Sequence, residues 1–264
     1  MSQETCRRIH TAEAICGQKE ARNIMAAENG QWIMYGMAWD DPYRIRSHQE
    51  LIRWVQEIGF LPLFKNEADG FSAEEHTSNQ FWWTGDPEQD PWAWRELIAR
   101  SGEVAYGKFF GGKAGFISRE WFPCFANYRR DGYDFDARWD DELANIRCKK
   151  IMDCFDREPE IPSHELKLKA GFGKGGEKNF SGILTQLQMQ SYLTIRDFRR
   201  RVSKKGQTYG MAVAVYAQPE QLWGYDHVTS AYREDPQESW ERIWDHVRAR
   251  FSAASEEQLR KVLR

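Results

Sequence analysis

The 264-residue sequence has no apolar run near the ~18 residues that a membrane-spanning helix requires, and no charged-then-apolar leader opens it. A cytoplasmic, intracellular protein with no membrane partner is expected. Cysteine is scarce. Cys6, Cys16, Cys124, Cys148 and Cys154 are odd in number and none forms a C-x-x-C pair, which argues against a disulfide framework and against a structural zinc site. Hydrolase and transferase signatures are missing too: there is no G-x-S-x-G, no H-E-x-x-H and no H-x-E with paired cysteines. The six histidines are scattered, and His164 reads as a surface residue. The run G-F-G-K-G-G-E at 171–177 lacks the G-K-[ST] ending of a phosphate-binding loop and follows no predicted strand, so it reads as a turn. No metal and no cofactor is expected. The net charge of −3 does not favour polyanion binding over the surface as a whole.

Aromatic residues, by contrast, are plentiful. Twelve Trp, fifteen Phe and ten Tyr offer enough apolar surface to offset chain entropy, which excludes a disordered chain. The most patterned stretch runs from Ser163 to Tyr216. Ser163 is placed to cap a helix that Gly171 ends. Phe180, Ile183, Leu184 and Leu187 then fall on one face of a second helix. After Gln190 the period changes to two, and two strands joined by Ser203 to Gly206 form a hairpin. Helix, turn, helix and hairpin is the order of a winged-helix unit, in which the helix before the hairpin usually enters the major groove.

Basic charge is concentrated in the same stretch. Ser163 to Gln207 holds ten Lys or Arg against three Asp or Glu, a local balance of +7, so the rest of the chain sums to −10. Arg196, Arg199, Arg200, Arg201, Lys204 and Lys205 crowd the hairpin, and Lys174 and Lys178 flank the helix that precedes it. Together they are candidates for phosphate contacts on duplex DNA. The competing reading is that the hairpin cations are solvated charges guarding a sheet edge.

Earlier in the chain, a possible helix capped by Thr11 lies within residues 1–30, and Trp32 to Met37 reads as a short strand. Ser47 and Glu50 have capping-box spacing, and Leu51, Ile52, Trp54, Val55 and Ile58 mark an amphipathic helix ended by Gly59. Leu61 to Asp90 reads as loop, with Trp82 and Trp83 taken as core that pins it rather than as a base-stacking pair. Pro91 to Ser101 reads as helix, Glu103 to Phe110 and Ala114 to Trp121 as strands about a Gly111–Lys113 turn, with Pro123 marking the exit. That order repeats at 180–219, an internal repeat of architecture. Between the two copies, Asp134, Asp136, Asp140, Asp141 and Glu142 read as the start of a helix running through Leu143, Ile146, Ile151, Met152 and Phe155, salt-bridged to Arg129, Arg130 and Arg138. Near the end, Trp240, Ile243, Trp244, Val247 and Phe251 mark an amphipathic helix, and Ser255 with Gln258 caps a last one.

The expected fold is therefore α+β, with tandem winged-helix units, each with a two-stranded wing hairpin, and a C-terminal amphipathic helix. The implied division is an N-terminal extension at 1–46, a first unit at 47–130, a second at 131–225, and C-terminal helices at 226–264 packing on the core.

Three segments resemble the AlkZ/YcaQ type of winged-helix DNA glycosylase, through AlkZ-related proteins: W-A-W-R-E-L-I-A-R-S-G-E-V-A-Y-G-K-F-F, K-A-G-F-I-S-R-E-W-F-P and L-T-Q-L-Q-M-Q-S-Y-L. The resemblance covers roughly Ser47 to Tyr225. It implies removal of alkylated or crosslinked bases from DNA, with the run Gln188-Met189-Gln190 standing for the family's glutamine-apolar-glutamine motif and positioning the attacking water. The motif lies early in that family and two-thirds along this chain, and residues two apart on a helix project about 200° apart. Two further readings follow from the same residues: a non-catalytic winged-helix DNA-binding regulator, and a protein-interaction scaffold that binds no nucleic acid.

Overall fold

The computed structural model describes residues 34–203 and 205–264; the helix expected within residues 1–30, Trp32, Cys6, Cys16 and Lys204 lie outside the described residues. Met34 to Met37 forms no strand, and Met37 instead makes an isolated bridge to Ser78. The first helix, α1 (His48–Ile58), starts where Ser47 Oγ accepts from Glu50 N at 3.2 Å. The Glu50 carboxylate accepts from Arg46 N at 2.8 Å, so the expected reciprocal half of the box is not made.

The chain then forms β1 (Phe60–Pro62), α2 (Ala73–His76), α3 (Pro91–Ser101), β2 (Val104–Phe110) and β3 (Lys113–Ser118). Asp90 starts α3 by accepting from Trp92 N at 2.8 Å, and its carboxylate also holds Trp83 N and Gly85 N, each at 3.0 Å. One buried aspartate thus fixes both the loop and the helix it enters. Of the tryptophan pair in that loop, Trp82 is buried and donates to Thr77 Oγ1, whereas Trp83 is half-exposed against Trp92. The β2–β3 turn has Gly111 at φ 57° and Gly112 at φ 76°, a pair of left-handed residues that a two-residue hairpin needs.

Two helices later the same order returns. After α4 (Phe122–Arg130) and α5 (Phe135–Asp140) come α6 (Ile146–Met152), β4 (Ile161–Pro162), α7 (Ser163–Lys169), α8 (Phe180–Met189), β5 (Thr194–Val202) and β6 (Thr208–Ala217). The chain ends in α9 (Pro219–Trp223), α10 (Tyr225–Val228), α11 (Pro236–Arg250) and α12 (Glu256–Leu263), the last started by a complete capping box between Ser255 and Gln258. The single helix expected through the acidic stretch is two. Glu142 takes φ 60°, Asn145 caps α6 by accepting from Arg147 N, and Leu143 and Ile146, which fit the apolar period, are exposed. Ser163 lies inside α7 rather than capping it; Pro162 precedes the helix and supplies no side-chain bond.

All six strands join one antiparallel sheet in the order β1-β3-β2-β5-β6-β4. The order reads as two halves back to back: in each, a short strand pairs with the far strand of a hairpin, and the near strands β2 and β5 meet at the centre. Tyr106 faces Ile195 there, and Thr194 Oγ1 donates to Tyr106 O at 2.9 Å. The two edge strands each carry a proline, Pro62 and Pro162, where the missing N–H costs no ladder bond. Gly115 is required by contact: a Cβ there would come within 2.4 Å of the Phe110 ring. One continuous apolar core runs from α1 to α12, including Trp94, Phe109, Leu187 and Val247, and each such buried side chain contributes about 1.5–3 kcal/mol. Among the described residues no helix is long and apolar enough to cross a membrane.

Candidate nucleic-acid interface

The second hairpin outgrows the body of the protein. Thr194 and Ile195 of β5 and Val215 to Ala217 of β6 are buried, but Arg199 to Val202 and Thr208 to Met211 are exposed. Edge strand β4 pairs only with Val215 and Tyr216, so the outer half of the hairpin has no strand beside it. At about 3.3 Å per residue, that half projects roughly 15 Å. It also carries exposed apolar side chains, Val202, Tyr209 and Met211, the last 87% exposed. Nothing local in the T-Y-G-M-A-V-A-V-Y run marks where the body stops.

The basic residues of this arm divide into two sets. Arg196 donates to Ala99 O at 3.0 Å and to Arg100 O, closing the C-terminus of α3, and lies 3.7 Å from Glu160. Arg199 pairs with Asp197 at 2.8 Å and with Glu160. Asp197 also accepts from Arg100 Nε and from its neighbour Phe198 N. Burial raises the Asp197 carboxyl, but the hydrogen bonds from Arg199, Arg100 and Phe198 outweigh it and hold the group below its ordinary value. These cations are committed to fixing the arm on α3. Arg200, Arg201 and Lys205 are exposed, and among the described residues no carboxylate pairs with them. Lys174 and Lys178, in the loop before α8, are likewise exposed and unpaired among the described residues, while Glu177 between them is held by Lys150 at 2.7 Å.

The two glutamines of the Gln188-Met189-Gln190 run go to different places. Gln188 is 1% exposed; its Nε2 donates to Leu184 O at 3.0 Å and its Oε1 accepts from Lys108 N at 3.1 Å. It joins α8 to β2 across the centre of the sheet. Gln190, at the C-cap of α8, is half-buried and lines a cleft of about 550 Å³ between α8, the end of α4 and the C-terminal helices. Both amide ends of Gln188 are therefore occupied inside the core, and only Gln190 reaches a space that could admit a ligand.

The acidic stretch makes none of the expected ion pairs with Arg129, Arg130 or Arg138. Arg130, 1% exposed, pairs with Glu220 at 2.5 Å and donates to Ser191 O at 2.6 Å; Arg129 donates to Phe109 O; Arg138 donates to Arg130 O. Asp134 accepts from the Tyr225 hydroxyl at 2.6 Å. Among the described residues no group of three or more His, Cys, Asp or Glu side chains could hold a metal ion.

The first hairpin presents a different end. Its tip is covered: Gly111 N donates to Arg264 O at 2.7 Å, and Gly112 sits against Thr185 and Met189 of α8. The candidate residues thus form two groups, the hairpin cations and the α8 residues, separated along β5 by roughly 20 Å or more.

A model of the family described as AlkZ related matches residues 45–264. No curated protein and no solved structure matches the chain.

Proposed function

The chain belongs to the AlkZ-related family, and on that premise we propose that it binds duplex DNA through its second hairpin and the adjoining helix α8. The observation that carries this reading is the projecting arm whose outer cations, Arg200, Arg201 and Lys205, meet no carboxylate among the described residues. Unpaired cations gathered on one arm can displace the counterions of several phosphates at once, which is a large source of duplex affinity. Lys174 and Lys178 extend the same charge toward the N-terminal end of α8.

The repeated order of helix, short strand, two helices and hairpin, with the short strand paired to the far hairpin strand, supports reading each copy as a winged-helix unit. The units are then 47–130 and 131–225, with 226–264 closing the core. In the second unit α8 is the recognition helix: Ile183, Leu184, Leu187 and Gln188 face inward, leaving Ser181, Gly182 and Gln186 exposed.

Family membership also raises base excision as a second reading. Gln190, beside a cleft large enough for a base, favours it; Gln188, bonded at both amide ends, argues against a pair of glutamines gripping one water. The binding function is the better supported of the two. Duplex affinity measured against salt tests it: a steep fall with increasing salt is expected, and a flat or undetectable response would leave the scaffold reading instead. Alkali treatment of alkylated DNA after incubation with the protein tests excision, since strand breaks that vanish in Gln190→Ala but persist in Gln188→Leu would assign the chemistry to the cleft.

A further inference from the structure

Helix α3 carries a buried cation that the ion pairs at the root of the arm do not involve. Arg95 is 8% exposed, and its guanidinium lies between two rings, 3.8 Å from the centre of Trp92 and 4.2 Å from the centre of Phe198. Its polar contacts are sparse. Nε is shielded from solvent and meets no hydrogen-bond partner among the described residues, and Nη2 reaches the neighbouring Glu96 at 3.3 Å. Burying a cation is costly when so few of its N–H groups are matched. What is satisfied instead is the two faces of the plane, since a guanidinium is weakly hydrated and stacks on an aromatic ring from either side. Beside it, burial pushes the Tyr106 hydroxyl up to about 12 against the opposing pull of the Arg95 charge, so the cation also adjoins the central strand β2.

The two rings belong to different parts of the molecule. Trp92 sits in the first turn of α3, where Asp90 accepts from its N at 2.8 Å and the Phe64 ring lies 6.2 Å away, centre to centre. Phe198 lies on β5, half-buried, opposite Ala214 of β6 and 6.2 Å from the Tyr106 ring. From the next residue outward β5 is exposed. Phe198 is therefore the last side chain of β5 packed on the core, and Arg95 is the piece between it and the first unit. The ion pairs of Asp197 flank this contact, but their arginines are about half-exposed and solvent weakens them. The stacked guanidinium is the shielded part of the joint.

We infer that Arg95 is a positioning residue: held between Trp92 and Phe198, it lets the first unit set the direction of the second unit's arm, and with it the place where Arg200, Arg201 and Lys205 meet phosphates. The last clause rests on the duplex-binding reading; the hold on the arm does not. A planar cation is needed for this because both of its faces are used. Lysine at the same position would keep the charge and lose the plane, and an aliphatic side chain would lose both. An arm held in one direction before binding gives up less freedom on meeting a duplex, which is where the gain in affinity arises.

Amide exchange of the free, full chain, without DNA, tests the hold. In Arg95→Leu the amides at the root, residues 196–199 and 213–216, are expected to exchange faster by on the order of tenfold relative to those of β3 and α11, and Arg95→Lys is expected to behave like Arg95→Leu within about threefold. Should Arg95→Leu fail to fold, the half-buried Phe198→Leu removes one of the two ring faces and is expected to speed the same amides by about fivefold. Root amides that keep their rate, an equal acceleration in β3 and α11, or full protection in Arg95→Lys each overturns the proposal. Duplex affinity is then expected to fall about fivefold in Arg95→Leu with the salt slope unchanged, because the phosphate contacts remain and only the freedom lost on binding has grown. A reduced slope would mean lost phosphate contacts and overturns the positioning role. An unaltered chain that binds no duplex, with a root that still loosens in Arg95→Leu, removes the hairpin's function and leaves the hold on the arm standing, so the two failures are read separately.

Discussion

The two hairpins occupy matching places in the sheet and have opposite ends. The first is short, its strands are buried along most of their length, and its glycine tip is closed by α12 and α8. The second is longer, its outer half is bare on both faces, and its tip carries cations together with Tyr209 and Met211. The helices before them differ in the same sense. Helix α3 has its C-terminus occupied by Arg196, whereas α8 keeps an open polar face beside a cleft. A repeated order of elements therefore does not repeat a role: one copy is a strut of the core and the other carries the contact surface. What separates them is strand length, tip chemistry and whether a later helix covers the tip.

The clamp between the copies is the most sensitive point. Arg130 at the end of α4 bonds Ser191 O just before β5, and pairs with Glu220 and with the Tyr232 hydroxyl. Substituting Arg130→Ala leaves those partners facing a buried gap and is expected to cost about 3 kcal/mol, at the low end for a broken buried pair because Glu220 is partly exposed. Urea unfolding measures the loss.

Next in size is the asymmetry in binding. Replacing Arg200, Arg201 and Lys205 together by Gln is expected to lower duplex affinity on the order of 100-fold and to reduce the salt slope by about 2.7, that is about 0.9 for each phosphate contact. Lys113→Gln at the tip of the first hairpin is expected to change affinity less than about twofold, as a surface charge away from the interface. Equal losses from both hairpins would erase the distinction drawn between them.

A smaller effect separates the two glutamines. Gln188→Leu removes both the acceptor of Lys108 N and the buried donor to Leu184 O and is expected to cost about 1–3 kcal/mol, whereas Gln190→Ala is expected to fall within about 0.5 kcal/mol. Thermal unfolding of the two variants distinguishes a joint of the sheet from a residue facing the cleft.

The smallest is a dependence on pH at the root of the arm. Asp197 is held below its ordinary value, so the stability it contributes is present above the unfolded carboxylate value, about 3.9, and is lost as pH falls toward and through the folded one. Its arginine partners are about half-exposed, which limits the contribution to less than about 1 kcal/mol. In Asp197→Asn that part of the acid limb of the stability profile is expected to disappear.

The longer helices and both hairpins were legible in the sequence because their caps and periods are local. Ser47, Asp90 and Ser255 start helices from within three residues, and Gly111-Gly112 makes a tight turn by itself. Strands β1 and β4, three and two residues long, are too short to show a period, and the run from Leu61 to Asp90 therefore read as loop. The break between α5 and α6 was hidden because Leu143 and Ile146 fit the apolar spacing and yet face solvent. Charge pairing was out of reach for a different reason. Arg199 is neutralised in part by Glu160, and Arg196 is occupied by carbonyls 96 and 97 residues away, so a count along the chain overstated how many cations are free. Burial of Gln188 could have been suspected, since it follows Leu184 by four positions on the face that Leu187 also joins.

Amide hydrogen exchange with and without a duplex tests most directly whether the second hairpin, and not the first, meets DNA. Protection on binding is predicted for residues 199–211 and for the loop at 174–178, with no change at residues 107–115. Protection confined to 107–115, or none in either hairpin while the duplex is bound, would contradict it.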